Sequence, residues 1–358
     1  MSDASTGKTV PQRNGQIELL RLVFSVMVAG FHLGCSLQFD YELFAKGYLA
    51  VEFFFMVSGF LLAKSLSKYQ VDQSKEVIST SLRFMGRKYA SFYRYYGVAI
   101  VMTCAAWIPV MHLTVGQWLA KVLESVPTFL LIQTAGFRYA NWFVPTWYVS
   151  AMLIAMFILT PVLLKWGRVY SLYVAPLVSL LLLGIIWRNN GGFGVSAEWQ
   201  GPLLNLGLMR ALAEISLGCL FFYIVRSGIL KRFPTIILHA VKLLCYALPL
   251  YYMTVGMAKS MEPAMVIFLA IAVLLTFQDD KPWRFFNNRF VYWLGKLSLP
   301  VYLCHSIARY YVVAYCPSDW GYYPQLGVFF GVTLVLSVVC MLIGDGLHYL
   351  VKRKKTAA

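Results

Sequence analysis

Long apolar stretches separated by short polar segments dominate the pattern along the chain. Each stretch is close to the ~20 residues that a helix needs to cross a bilayer. The pattern predicts ten transmembrane helices, at residues 17–37, 47–67, 89–111, 144–164, 170–187, 203–225, 234–256, 261–277, 290–312 and 325–350. We therefore expect an all-α polytopic membrane protein.

The segment between the third and fourth helices is the weakest part of this pattern. Its apolar core, Val126 to Gln133, is too short to span a bilayer and indicates a re-entrant or surface segment. The rest of the chain divides simply. We expect a cytoplasmic segment at 1–16, one transmembrane domain at 17–351 and a basic cytoplasmic tail at 352–358.

Lysine and arginine are concentrated in alternate connecting segments. The segments between them carry only Lys46, Lys121, Arg138, Arg188 and Lys259. Since basic residues favour the cytoplasmic side, this alternation predicts that both termini are cytoplasmic. Hydrophobic residues make up 59% of the chain and charged residues 13%. Because the basic residues are spread over the expected membrane borders, the net charge of +16 is mostly an insertion signal and gives little support to nucleic-acid binding.

Two ionisable residues, Arg21 and His32, lie inside the first apolar stretch. Ionisable groups in a membrane interior are rare and usually functional. Because the 11-residue interval is about three helical turns, the two side chains share one face and are roughly 16 Å apart along the axis. That span is close to the reach of a pantetheine arm. The histidine suits proton transfer or nucleophilic attack, although a core histidine bonded across helices is the alternative.

Further cations cluster before the third apolar stretch, after a polar segment at 68–80. Arg83 and Arg87 are four residues apart and share a helix face, and Lys88 follows directly. Guanidinium groups bind phosphate well, so the cluster indicates a phosphate site together with Arg21. Ordinary anchoring to anionic lipid is the alternative.

Several sequence blocks occur in a fixed order. They are Arg21 to His32, with ten residues between arginine and histidine, Val51 to Phe60 (VEFFFMVSGF), the arginines at 83 and 87, Trp147 to Ser150 (WYVS) and Ser298 to His305 (SLPVYLCH). These blocks resemble those of the acyltransferase-3 family, bacterial membrane enzymes that acylate extracytoplasmic saccharides from cytoplasmic acyl-CoA. One departure is Met152, where many members carry a glutamate.

The resemblance implies a membrane-bound O-acyltransferase of the bacterial cytoplasmic membrane, with acetyl-CoA as donor substrate and no metal. The acceptor would be a hydroxyl of a saccharide or glycolipid, and membrane lipids and glycan-assembly proteins are the expected partners. His32 would be the general base or the acyl carrier, supported by Arg21 and Glu52, and the donor would bind Arg21, Arg83, Arg87 and Lys88.

Acceptor contacts are expected from Trp147, Tyr148 and His305. The two aromatic residues, with Trp142 and Phe143, lie at the expected outer border, where they would form an interfacial belt or stack on sugar. Glu52 could orient His32 or bind sugar hydroxyls. For Arg210 and Glu214, four residues apart, a buried pair is expected.

Three other functions fit a helical membrane protein with a few buried charges. A secondary transporter or exporter is one, although the chain shows no internal repeat. A membrane-bound acyltransferase acting on a lipid or small molecule is another. A scaffold or sensor with an inactive site is the third, and an acyl-CoA hydrolysis assay would discriminate it.

Overall fold

The computed structural model describes residues 14–37, 43–69, 73–137, 146–196, 198–200, 204–279, 284–317 and 319–357. Helices dominate this part of the chain. The α-helices are α1 Gly15–Leu37, α2 Ala50–Leu66, α3 Ser74–Met111, α4 Val115–Glu124, α5 Val126–Phe129, α6 Trp147–Val169, α7 Ala175–Asn190, α8 Leu206–Ser227, α9 Thr235–Val255, α10 Glu262–Gln278, α11 Arg289–Tyr315 and α12 Tyr322–Ala357. The prediction of an all-α polytopic membrane protein is confirmed.

Minor elements connect these helices. A π-helix at Tyr170–Val174 joins α6 to α7. Strands β1 Trp199–Gln200 and β2 Leu204–Asn205 form a two-residue antiparallel ladder in which Trp199 is paired with Asn205. Short 3-10 helices lie at Gly47–Leu49, Gln133–Ala135, Ile229–Arg232, Lys259–Met261 and Arg284–Phe286.

Eight helical segments of the described chain are long and apolar enough to cross a membrane. One of them, Trp147–Asn190, has 44 residues and would be about 66 Å long, twice the bilayer core. It contains a break at Trp166, where φ is −128° and ψ is 28°. Trp147 at its start and Val195 just beyond its end both contact Arg210 of α8. The chain therefore reverses direction, so this segment is two antiparallel helices.

Helix α11 is absent from those eight segments because it carries several polar and basic residues, yet it packs along the whole of α1. Three contacts join residues that are 273 positions apart in the chain. They are Ser25–Ser298, His32–His305 and Ser36–Arg309. A constant offset means that the two helices run parallel and in register. The count of ten spans stays a prediction, and α11 is the natural further candidate.

Both ends of the described chain lie at one end of the bundle. The amide of Gly15 donates to Oδ1 of Asn287, just before α11 begins. In the first turns of α11, Lys296 forms an ion pair with Asp345 near the end of α12. We call this the inner end, following the predicted topology. The cytoplasmic position of the termini stays a prediction, and residues 1–13 and 358 lie outside the described chain.

Helix α3 is longer than its apolar stretch. It begins at Ser74 and has 38 residues, about 57 Å, so its first turns extend beyond a bilayer core. The polar segment at 68–80 is therefore helical from residue 74 onward. Farther along, hydroxyls of Tyr93 and Tyr96 donate at 2.5 Å to carbonyls of the following short segment, which contains α4 and the four-residue α5.

Helix α2 lies at the centre, against α1, α6, α8 and α10. Its crossing with α8 is close because glycines face backbone there. A Cβ added at Gly59 would lie 2.0 Å from the carbonyl oxygen of Ile215, and one added at Gly218 would lie 2.1 Å from that of Met56. Small residues allow such contact between membrane helices. Gly59 and Gly218 therefore allow the backbones of α2 and α8 to approach closely.

Candidate functional site

Two histidines face each other across the α1–α11 contact. The ring centroids of His32 and His305 are 5.1 Å apart, and His305 is fully buried. Nδ1 of His32 lies 2.8 Å from the carbonyl oxygen of Val28, and Nδ1 of His305 lies 3.3 Å from that of Val301. A carbonyl only accepts, so each Nδ1 carries the hydrogen and each Nε2 keeps its lone pair. Nε2 of His305 has no hydrogen-bond partner among the described residues.

This arrangement leaves two imidazole acceptors close together in the outer half of the bundle. Nε2 of His32 can take a proton or attack a carbonyl carbon, because Nδ1 already holds the ring hydrogen. An unpartnered buried acceptor such as Nε2 of His305 is unfavourable without a donor. A substrate hydroxyl that reaches Nε2 would supply that donor.

On the inner side of the histidines, a cavity of about 100 Å³ lies among α1, α2, α3, α6 and α11. Its cations are Arg21 and Lys88. Its other lining residues are Ser25, Phe54, Val57, Ser58, Leu61, Phe92, Tyr148, Met152, Ser298, Leu299 and Tyr302. We call it the central cavity. Its volume is small beside the roughly 300–1,000 Å³ of a pocket that encloses a drug-sized ligand, so it fits only a thin part of a large substrate.

A second, larger depression of about 510 Å³ adjoins the central cavity through Lys88. We call it the surface depression. It is lined by Ser65, Lys68, Tyr69, Phe84, Arg87, Lys88 and Ser91. Nη2 of Arg87 donates to the hydroxyl of Tyr69 at 3.1 Å, which holds the guanidinium against the wall. Between them, the two cavities are lined by three of the four predicted donor-binding cations.

Arg83 is the predicted donor residue that this surface does not include. It is exposed one turn before Arg87 on α3 and lines neither cavity. Arg21 is only partly neutralised, since its ion pair with Glu18 has a distance of 3.9 Å and its side chain is 36% exposed. Lys68 was not singled out by sequence, because a single basic residue in a polar segment is an ordinary interfacial anchor.

The hydrogen bonds of Glu52 do not involve the histidine pair. Its carboxylate receives two hydrogen bonds from Nε of Arg210, at 3.0 and 3.2 Å, and one from Nη2 at 2.6 Å. Arg210 also donates at 3.0 Å to the carbonyls of Val195 and Tyr48. No described hydrogen bond joins Glu52 to His32. The geometry therefore indicates a structural ion pair, and a catalytic role for Glu52 stays a prediction without a contact to support it.

Glu214 completes this buried group and forms the buried pair with Arg210 that the sequence spacing predicted. Its Oε1 lies 3.6 Å from Nε of Arg210, a weaker contact than those of Glu52, and neither carboxylate oxygen has a hydrogen-bond partner in the described chain. Arg210 therefore pairs first with Glu52, which is 158 positions away. One guanidinium faces two carboxylates.

The aromatic residues predicted at the outer border are buried instead. Trp147 packs against Phe55, with ring centroids 6.4 Å apart, and against the guanidinium of Arg210 at 5.8 Å. Tyr148 lines the central cavity, and its hydroxyl contacts Sδ of Met152 at 3.4 Å. Neither is free to form an interfacial belt or to stack on a sugar from outside. Trp142 and Phe143 lie outside the described residues.

Arg309 is a residue that the sequence reasoning missed. It lies one turn beyond His305 on α11, and its Nη1 donates to the hydroxyl of Ser36 at 3.1 Å. Because Ser36 is one turn beyond His32, this bond lies directly outside the histidine pair. The available signal was an arginine within a predicted membrane span, four residues after a histidine.

Comparison with known proteins agrees with the blocks in the sequence. Residues 14–342 match a family model described as an acyltransferase domain, that of the acyltransferase-3 family. No curated protein and no solved structure matches the chain significantly. The match covers most of the chain, including α1, the central cavity and both histidines. The chain therefore belongs to the acyltransferase-3 family.

Proposed function

We propose that the protein transfers an acyl group, acetyl in the first instance, from cytoplasmic acyl-CoA to a hydroxyl of an extracytoplasmic or lipid-linked saccharide. The observation that carries the proposal is the order of three features: the surface depression and the central cavity share Lys88, and Tyr302 of the cavity lining contacts His305. This order would let donor and acceptor approach one reaction centre from opposite sides of a bacterial cytoplasmic membrane.

The charge and size of the two cavities support their role as the donor site. Arg87, Lys88 and Lys68 border the surface depression, where the phosphates of the CoA nucleotide would gain charge-assisted hydrogen bonds. Lys88 and Arg21 then border the narrow central cavity, which suits an extended pantetheine arm better than a nucleotide. The rise of roughly 16 Å from Arg21 to His32 along α1 matches the length of that arm.

The lone pairs on Nε2 of His32 and His305 support the acceptor site. A saccharide hydroxyl that donates to one Nε2 would bring its oxygen near the thioester carbon. If His32 is the general base, it takes the hydroxyl proton, the oxygen attacks the carbonyl, and the proton passes to the departing CoA thiolate. If His32 is the acyl carrier, Nε2 attacks first and CoA leaves as the thiolate; the hydroxyl oxygen then takes the acyl group as Nε2 leaves, and the hydroxyl proton passes to the thiolate. In both routes His305 orients the hydroxyl.

The test is acyl transfer by the purified protein in lipid nanodiscs, with labelled acetyl-CoA and a panel of cell-envelope glycans. We expect label on glycan with the wild type. His32→Gln should bind the donor but not transfer, because it inserts and packs like the parent side chain while losing the basic nitrogen. His305→Gln should raise KM for the acceptor more than KM for the donor.

A second measurement separates the two routes of His32. Incubation with labelled acetyl-CoA alone, followed by rapid quenching, should trap acyl-histidine if the side chain carries the group, and should leave the protein unlabelled if it acts as base. Full transfer by His32→Gln would refute both. Movement of intact acyl-CoA or glycan across the membrane without label transfer would support a transporter instead.

A further inference from the structure

Three aromatic rings from three helices meet at one end of the central cavity. Phe54 of α2, Tyr148 of α6 and Tyr302 of α11 all line the cavity. The ring centroids are 5.8 Å apart for Phe54 and Tyr148, 6.3 Å for Phe54 and Tyr302, and 5.5 Å for Tyr148 and Tyr302. Each ring therefore contacts both of the others. We call these three residues the aromatic trio.

The trio lies at the outer end of the cavity, between it and the histidine pair. Tyr302 is one turn before His305 on α11, and the two rings are 5.8 Å apart in an edge-on arrangement. The cations lie at the opposite end, because Arg21 precedes Ser25 on a helix that leads outward to His32. The direct route from the cations through the cavity to the histidines therefore leads past the trio.

We propose that the aromatic trio is an acyl-length gate, which lets a thioester with a short, unbranched acyl group reach the histidine pair and rejects longer chains. This inference rests on the proposed acyl-CoA function and assigns donor specificity to residues that are neither cationic nor basic. Tyr148 thereby contacts the donor rather than the saccharide, for which the sequence had indicated it.

Packing is the physical basis of the gate. The side chains of Tyr148 and Tyr302 are only 7% and 3% exposed, so neither ring has solvent into which to swing. Tyr148 is held further by Phe55, whose ring centroid is 4.7 Å away. A longer chain must displace a packed ring, and interiors at such density resist displacement. In a shaped apolar site each additional methylene changes discrimination by roughly tenfold or more.

Phe54 is the best position at which to open the gate, because it is only partly buried and forms no side-chain hydrogen bond. The experiment measures transfer from acetyl-, butyryl- and octanoyl-CoA at equal concentration, in nanodiscs, for the wild type and Phe54→Ala. We expect the wild type to use butyryl-CoA at least about tenfold less well than acetyl-CoA, and octanoyl-CoA scarcely at all. Phe54→Ala should raise the octanoyl to acetyl ratio by about tenfold or more.

Leu61→Ala is the matched control. Leu61 is on the same helix and lines the same cavity, but two turns nearer the inner end, so its truncation can change the overall rate without changing the octanoyl to acetyl ratio. Phe54→Leu replaces Phe54→Ala if the smaller side chain prevents folding, and should shift the ratio in the same direction by less. Gel filtration of each variant in detergent reports folding.

The outcomes distinguish a failure of the gate from a failure of the proposed acyl transfer. Equal use of octanoyl- and acetyl-CoA by the wild type overturns the gate, and so does an unchanged ratio in a folded Phe54 variant that still transfers acetyl. A ratio that rises equally with Leu61→Ala also overturns it, because the cavity as a whole would then set chain length. Absence of transfer from every donor overturns the proposed function itself.

Discussion

The buried charges around Arg210 allow the most detailed prediction. The guanidinium is 1% exposed and donates to Glu52 three times, with two further bonds to backbone carbonyls. Removing one partner of a buried ion pair usually costs about 3–5 kcal/mol, because the other charge is left without compensation. We expect Glu52→Gln to cost about 3 kcal/mol, near the lower limit of that range, since Glu214 can approach the guanidinium from 3.6 Å.

Glu214→Gln should behave differently despite its identical chemistry. Its carboxylate accepts no hydrogen bond within the described chain, so we expect a change below about 1 kcal/mol. In the double variant Arg210 loses both carboxylates. The double variant should therefore cost about 5 kcal/mol or more, and the excess over the sum of the single changes should be at least about 1 kcal/mol.

The assay is reversible unfolding of the purified variants in mixed micelles, completed as a double-mutant cycle, with acyl transfer measured on the same samples. Strict additivity would refute the shared-partner account, as would equal costs for the two single substitutions. A Glu52→Gln protein with wild-type stability and no transfer would show that the carboxylate acts in catalysis, as the sequence had suggested. The structural assignment of Glu52 would then be wrong.

Two further predictions use matched substitutions. Gly59→Ala should destabilise the protein by about 1–3 kcal/mol, because a Cβ there meets the α8 backbone. Gly86→Ala should be neutral or slightly stabilising, because a Cβ at Gly86 has nothing within 4 Å. Thermal unfolding measures both, and equal effects would contradict the close α2–α8 crossing. Arg87→Ala should weaken acetyl-CoA binding about ten- to a hundredfold in equilibrium titration. Arg83→Ala should weaken it by less than about threefold. The reverse order of the two effects would remove the surface depression from the donor site.

Hydropathy located the apolar helices well, but it missed helical residues that lie outside an apolar stretch. The first apolar stretch, 17–37, corresponds closely to α1 at Gly15–Leu37. By contrast, α3 begins 15 residues before its predicted span at 89, at Ser74. Its first turns, which begin SKEVISTS, are mostly polar and are nevertheless helical. A hydropathy pattern reports burial in lipid, and it says nothing about such an extension.

Long-range pairing explains the errors at the site. The spacing of Arg210 and Glu214 correctly brought them together, because residues four apart on a helix are neighbours. It could not reveal that Glu52, on another helix, takes the guanidinium first. Tyr148 was placed at the interface for a similar reason: tyrosine is common there, and only the positions of α2 and α11 show that the ring is enclosed.

The histidines were found singly because ionisable residues are rare in apolar helices, but their pairing depends on helix register. Bonds of the same offset bracket the pair: Ser25 donates to the Ser298 carbonyl at 3.0 Å on the inner side, and Arg309 donates to Ser36 at 3.1 Å on the outer side. A slip of one residue would rotate His305 by about 100° away from His32. Since α1 and α11 lie at opposite ends of the chain, this contact also joins its first and late helices. The two bonds therefore hold the histidine pair in register, and the reaction proposed at His32 depends on them as well as on the imidazoles.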